Sequence, residues 1–341
     1  MKTKKIQNME EFAAAIGMSR PTVSKFFNDP QSVKASTRAR IEAALEAHDY
    51  RPNIYAMNQN RKLTKNIGIL VPYLADPFFA EIARNIEQQC IDAGYRPTLY
   101  SSHGKPSLEA DILDSLRSLK PAGVLLAPLG RASERSSVER FCADVPTVLF
   151  DSNLPELDVP FVGSDNPQFA RLMVDYLCRT GEPPSFFEMA NPSNPNANRR
   201  RQAYVASMEM LGHTPDIVSV EGDGWAFEEI GLQGGLAALR SGQFKTRTVL
   251  CSNDRLAIGF LAACFEEGLR VGLGESSQIR VAGQDDHPFS RFTSPPLTTV
   301  AQDYDAISRH AVQTLFRSID EDEKSNDTKL FEGKLVMRAS A

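Results

Sequence analysis

The stretch IGMSRPTVSKFFNDP, residues 16–30, reads as a tight turn followed by a short helix carrying Arg20 and Lys25. Gly17 ends the helix before it, Ser19 offers a side-chain oxygen to cap the next, and Pro21 fits the first turn, where its missing N–H forfeits no backbone bond. Upstream, Asn8 with Glu11 three residues later makes a capping box, opening a helix that presents Phe12 and Ile16 on one face. Val23, Phe26 and Phe27 give the middle helix an apolar stripe, leaving Arg20, Thr22, Ser24 and Lys25 on other faces. A third helix follows Ser36, with Ile41, Ala44, Leu45 and His48 spaced along it. Two helices joined by a short glycine turn, with a third packed across them, make a helix-turn-helix head over residues 1–49. A small helical cap on the main body is the alternative, but its outer faces should then be apolar rather than polar and basic.

Charge separates this head from the rest. The 341-residue chain has a net charge of −5, yet residues 1–65 hold twelve Lys and Arg against six Asp and Glu, so the remainder carries −11. A basic head on an acidic body points to a polyanionic partner for the head alone. Read against double-stranded DNA, the N-terminal half of the second helix, from Ser19, enters the major groove. There Arg20 can pair with a guanine edge, Thr22, Ser24 and Lys25 suit phosphates or bases, and Pro21 supplies shape or contact with a thymine methyl. No apolar run is long enough to span a membrane, and the N-terminus lacks a signal peptide's apolar core, so a cytoplasmic protein with no membrane partner is expected. Cys90, Cys142, Cys178, Cys251 and Cys264 are scattered, which predicts buried free thiols rather than disulfides or a zinc site.

From Asn66 the pattern alternates. NIGILVP, RPTLYSS, AGVLLAP and VPTVLFD read as strands, with helices from about Phe78 to Ala93 and over SLEADILDSLRSL. The rhythm restarts with PSFFEMA, a helix around RRRQAYVASMEML, then IVSVEG, TRTVLCSND, a helix to Glu267, and QIRVAGQDD. Alternating β and α elements imply parallel sheets with helices on both faces, and some 275 residues suit two such lobes with a ligand cleft at the carboxyl ends of the strands.

GMSRPTVSKFFNDP followed by TRARIEAALEAHDYRPN resembles the DNA-binding head of the LacI/GalR family of bacterial transcription regulators. The body is similar to the same family over essentially its whole length, through DPFFAEIARNIEQQCIDAGY, VGSDN, SNDRLAIGFLAACFEEGLRV, VAGQDD, SPPLTTVAQDYDAISRHAVQTL and LVMRASA. The resemblance implies a fold class of a small all-α helix-turn-helix head plus an α/β body of two parallel-sheet lobes, like periplasmic sugar-binding proteins. The first lobe would take 66–165 and 294–325, the second 166–293 and 326–341. It also implies a homodimer on a roughly palindromic operator, and the family's tetramer-forming C-terminal leucine segment has no counterpart before Ala341. Residues 50–65 would be a hinge segment that folds on DNA, with Asn53, Met57 and Gln59 contacting it. The family's wedge leucine falls on Gln59, so a weaker kink, or a wedge shifted to Met57, is expected.

Matched to the family's pattern, Asp151, Arg200, Asn253 and Asp285 occupy effector-contact positions, Phe78 and Trp225 flank the effector, and Phe79 and Asn196 join them. Tyr73 and Asp76 are further lining candidates. Carboxylates, amides and one guanidinium suit the adjacent hydroxyls of a sugar or polyol, and an aromatic wall covers a ring's apolar face; a purine or sugar acid is the alternative ligand. Each has a plainer alternative: Trp225 as core packing, Asp254 and Asp286 as helix caps, Arg199 and Arg201 as surface charges, and His103 and His287 equally as solvated loop histidines. The histidines form no metal-binding spacing, and neither a phosphate loop nor a nucleophile elbow occurs, so no metal, cofactor or catalytic residue is expected. The expected function is an effector-responsive transcription regulator, a repressor by preference. The rivals are a transporter's sugar-binding protein, which needs no basic head, and a sugar-acting enzyme using Asp151 and Asp285.

Overall fold

The computed structural model describes residues 6, 8–48, 50, 64–192, 194–320 and 326–341. Asn53, Met57 and Gln59 lie outside them. The chain forms two compact units, residues 1–64 and 65–341.

The head consists of helices α1 (Met9–Ala15), α2 (Arg20–Asn28) and α3 (Ala35–His48). Asn8 caps α1 by accepting from the Glu11 amide at 2.9 Å, and Gly17, at φ +61, turns the chain out of it. Ser19 Oγ accepts from the Thr22 amide at 3.3 Å to cap α2, with Pro21 in the first turn. Phe12, Val23 and Ile41 are fully buried at the centre, where Tyr50 stacks on Phe12 with ring centroids 4.6 Å apart. The capping pattern and the apolar stripe thus build a minimal core from three helices too short to stand alone.

The body's first sheet has the order β11-β5-β4-β3-β1-β2, all pairs parallel. Its strands are β1 (Asn66–Val71), β2 (Arg96–Ser101), β3 (Gly123–Leu126), β4 (Thr147–Phe150), β5 (Phe161–Ser164) and β11 (Thr328–Phe331). Helices α4 (Pro77–Asp92) and α11 (Tyr304–Asp320) cover one face, α5 (Pro106–Leu119) and α6 (Arg135–Asp144) the other. Ile67, Ile69 and Val71 point into one core and Leu70 into the opposite one, the strand period of two with both faces apolar.

The second sheet runs β7-β6-β8-β9, from β6 (Ser185–Met189), β7 (Ile217–Val220), β8 (Thr248–Cys251) and β9 (Arg280–Ala282). One face takes α7 (Asn166–Thr180) and α8 (Pro195–Met210), the other α9 (Phe227–Arg240) and α10 (Asp254–Glu266). An antiparallel pair, β10 (Thr299–Ala301) with β12 (Lys334–Val336), joins this lobe, bridged to the β9 region through Ala282–Thr298 and Asp285–Ala301.

The expected lobe boundaries need correcting. Residues 294–301 stay with the second lobe, and only from α11 does the chain pack on the first. The segment after 326 was expected in the second lobe, but β11 pairs with β5 in the first sheet, and the final crossing comes between β11 and β12. The cysteines are free, with Cys90, Cys251 and Cys264 buried and Cys142 and Cys178 only partly so. No helix among the described residues is long and apolar enough to cross a membrane.

Candidate functional site

On the head, Ser19, Arg20, Pro21 and Lys25 are exposed, and Thr22 and Ser24 half-buried. Part of the polar face is committed locally: the Ser19 and Thr22 hydroxyls lie 2.8 Å apart as they complete the cap. Arg20 and Lys25 are left as the cationic groups of α2, displayed on a helix whose other side is anchored by Val23 and Phe26.

In the body, strand ends and helix starts from both lobes converge on one cleft, which encloses about 50 Å³. Phe78, Phe79, Asp151, Asn196, Arg200, Trp225, Asn253 and Asp285 all line it, together with Asp76. Topology explains the convergence: Asp151 follows β4, Asn253 follows β8 and Asp285 lies just beyond β9, so the carboxyl ends of parallel strands face one space. Asp151 (φ 60) and Asp285 (φ 125) hold positive backbone angles, which cost an ordinary side chain about 1 kcal/mol or more and turn the chain sharply at the strand end.

Arg200 is the hub. Its side chain is 7% exposed. Nε donates to Asn166 Oδ1 at 2.7 Å, Nη1 to the Ser252 carbonyl at 2.9 Å and to Asp285 Oδ2 at 3.2 Å, and Nη2 to Asp285 Oδ1. The result is a two-pronged guanidinium–carboxylate pair, the strongest geometry available to these groups. Gln302 Nε2 adds a bond to Asp285 Oδ1 at 2.8 Å, and the Tyr304 hydroxyl donates to the Asp285 carbonyl at 3.0 Å.

Asp151, from the first lobe, meets Asn196 of the second, whose Nδ2 donates to the Asp151 carbonyl at 3.0 Å and to Oδ1 at 3.1 Å. Burial pushes the Asp151 carboxyl up to about 7; Arg200 pulls against this, while Asp285 and Asp76 reinforce it. Because the folded value lies above the unfolded one, the stability this group confers is full below the unfolded value of 3.8 and is lost as pH rises through about 7. Asp151→Asn keeps the acceptor for Asn196 and tolerates the positive φ. Its stability relative to the parent should therefore climb between about pH 5 and about pH 8, as read from urea midpoints at the two pH values. A constant difference would show that Asp151 does not titrate there.

A second ionic group ties the lobes together. Arg255 Nη1 donates to Asp76 Oδ2 of the first lobe at 3.0 Å, while Nε and Nη2 each reach Glu228 at 2.7 Å and Nη2 reaches the Trp225 carbonyl at 3.0 Å. Burial alone raises both carboxyls. It prevails at Asp76, whereas the bonds from Arg255 outweigh it and hold Glu228 below its ordinary value. Trp225 lies flat against Tyr73 of the first lobe at 5.9 Å and edge-on to Phe79 at 5.9 Å. Its indole edge runs so close to Gly104 that a Cβ there would sit 2.6 Å from Nε1. Trp225 therefore belongs to the cleft and its closure, while also packing on both lobe cores.

Other expectations change with these contacts. Asn253, not Asp254, caps α10, accepting from the Leu256 amide at 2.7 Å. Asp254 is fully buried and holds the His287 amide and the Ser290 and Thr299 hydroxyls. Asp286 pairs with Arg338 at 2.7 Å instead of capping a helix. Arg199 is no simple surface charge, since it joins Asn153 of the first lobe to Asn196; Arg201 pairs with the buried Glu188 at 2.9 Å. His287 is 4% exposed and lines the cleft, so it is not a solvated loop residue. Asn166, Arg255, Gln302 and Tyr304 were missed, because nothing local in the sequence marks a polar residue whose partner comes from another segment.

Comparisons with known proteins add to this geometry. Residues 8–53 match the family described as bacterial regulatory proteins, lacI family, and residues 180–341 match a periplasmic binding protein-like domain. The chain is 29% identical over 344 residues to the HTH-type transcriptional repressor CytR of Escherichia coli (strain K12), covering 100% of this chain and 98% of that protein. It is 28% identical over 315 residues to the ribose operon repressor of the same strain, covering 91% and 92%. The crystal structure of the lac repressor dimer bound to operator and the anti-inducer ONPF superposes with a TM-score of 0.83 at 25% identity, covering 99% of both chains. A transcriptional regulator CelR–cellobiose complex shares the fold with a TM-score of 0.71 at 23% identity, covering 98% of this chain and 100% of that one.

Proposed function

The chain belongs to the lacI family of bacterial regulatory proteins, and from that premise we propose that it is a cytoplasmic, homodimeric repressor whose α2 reads operator DNA and whose cleft takes a neutral sugar or polyol. The observation that carries the ligand class is the lining of that cleft: Asp151, Asp285, Asn196 and Asn253 converge beside Phe78 and Trp225, and its two guanidinium groups are already engaged, Arg200 by Asp285 and Arg255 by Asp76 and Glu228. Such a set binds hydroxyls in pairs and, among the described residues, leaves no free cluster of cations for a bisphosphate. The dimer bound to operator in a solved relative supports the quaternary reading, as do Phe289 and Phe292, large apolar side chains exposed on the second lobe. Effector and operator communicate only through their unequal preference for lobe arrangements, and each must bias the other's affinity by the same factor.

A thermal-shift screen tests the ligand class. A neutral sugar or polyol at a hundred times its dissociation constant should stabilise the protein by about 2.7 kcal/mol. Shifts confined to sugar phosphates or purines would overturn the assignment. The division of labour is tested by Arg20→Ala. Affinity for a selected operator should fall roughly 10- to 100-fold, with the loss concentrated at one base pair, while the ligand-induced thermal shift stays as in the parent. Uniform weakening across all DNA sequences would assign Arg20 to phosphate contact instead.

A further inference from the structure

One buried polar atom of the cleft wall, Nε2 of His287, has no hydrogen-bond partner among the described residues. His287 follows the Asp285–Asp286 turn, and its amide is fixed by Asp254 Oδ2 at 2.9 Å. Its ring Nδ1 accepts from the Phe289 amide at 3.2 Å, so Nδ1 carries a lone pair and the proton of the neutral ring sits on Nε2. Burial lowers the ring's pKa from its ordinary 6.5, with Arg255 acting the same way against Asp76, Glu228 and Asp285, which keeps the ring neutral near physiological pH. Nε2 is nevertheless buried with no hydrogen-bond partner among the described residues, although the side chain lines the cleft. A buried N–H without an acceptor is costly and uncommon, and at a ligand site it marks a bond that the ligand completes.

We propose that His287 is a specificity-determining residue whose Nε2–H donates to an oxygen of the bound effector. This rests on the sugar reading above and deepens it, because the cleft then demands an acceptor oxygen at one particular position of the sugar. Two bonds orient the donor, from the His287 amide to Asp254 and from the Phe289 amide to Nδ1, and neutrality of the ring suits a hydroxyl or ring oxygen without requiring an anion.

The test uses the full-length protein with ribose, xylulose, glucose, cellobiose and sorbitol as probes, followed by analogues of the tightest binder that each lack one oxygen, the carbocyclic form included. The parent should bind one of these analogues about 10- to 100-fold more weakly than the intact sugar, and His287→Phe should bind the two alike. His287→Gln, which places an amide N–H near the Nε2 position, should regain part of the discrimination and serves if the phenylalanine variant does not fold. In the parent, nitrogen-15 spectra should show His287 protonated at Nε2, with that signal moving when sugar is added. If no probe binds the parent, the sugar reading fails and this inference fails with it. If a sugar binds but the parent and both variants rank its analogues identically, or the Nε2 signal stays still, the sugar reading survives and the role of His287 is overturned.

Discussion

Arg200→Ala is expected to abolish the response to the proposed effector and to destabilise the body, leaving operator recognition by the folded head in place. The side chain is buried and gives bonds to Asn166, Ser252 and both oxygens of Asp285. Removing it strands the Asp285 carboxylate, which retains the bond from Gln302. Breaking one side of such a pair costs about 3 kcal/mol, and the loss of a shared anchor in the cleft should weaken the ligand more than 100-fold. Charge and ligand contact are separable: Arg200→Met combined with Asp285→Asn removes both charges and should recover most of the melting temperature but none of the ligand shift. Titration calorimetry with the sugar found by screening, beside urea melts, gives both readouts. A ligand shift in Arg200→Ala equal to the parent's would remove Arg200 from the site.

Gly259→Ala is expected to cost about 3 kcal/mol or more, although it adds a single methyl group. Helices α9 and α10 cross where two glycines face one another. A Cβ on Gly259 would lie 2.0 Å from the Glu228 carbonyl oxygen and 2.8 Å from the Leu232 nitrogen, and one on Gly231 would lie 2.3 Å from the Leu256 carbonyl. These obstacles are backbone, so no rotamer change relieves them and the helices must separate. The displaced α9 carries Glu228, and so the substitution should also loosen Arg255 and the closure it maintains. Gly274→Ala is the control, since its added Cβ meets nothing closer than 3.8 Å and should leave the urea midpoint nearly unchanged. Equal midpoints for the two variants would show that the crossing is looser than this geometry.

Legibility of the fold followed apolar density. The strands around NIGILV, GVLL and TVLF announce themselves because both sheet faces are covered and each run is unbroken. TKLF is short, largely exposed and carries a lysine, so no strand is read there, and the lobe assignment near residue 326 failed at that point. In the cleft, residues at the ends of readable strands were found, Asp151, Asn253 and Asp285 among them, and the cleft gathers all eight proposed contacts. Gln302 and Tyr304 escaped because β10, which positions them, is only three residues long. His287 escaped because its meaning lies in a missing bond, which no residue type or spacing can display. Arg255 escaped because its partners, Asp76 and Glu228, are distant in the chain and belong to different lobes.

The Arg255 bridge and the Trp225–Tyr73 stack bear on time as well as affinity. With about 50 Å³ enclosed, the cleft in this arrangement has less room than the 300 Å³ or so typical of small-molecule sites. For the proposed effector this cleft is a door already shut, and capture would require Arg255 to let go of Asp76. The apparent dissociation constant then exceeds the intrinsic one by the reciprocal of the open fraction. On that proposal, how quickly the regulator notices a change in its surroundings would be paced by the opening of its own latch rather than by diffusion of the effector.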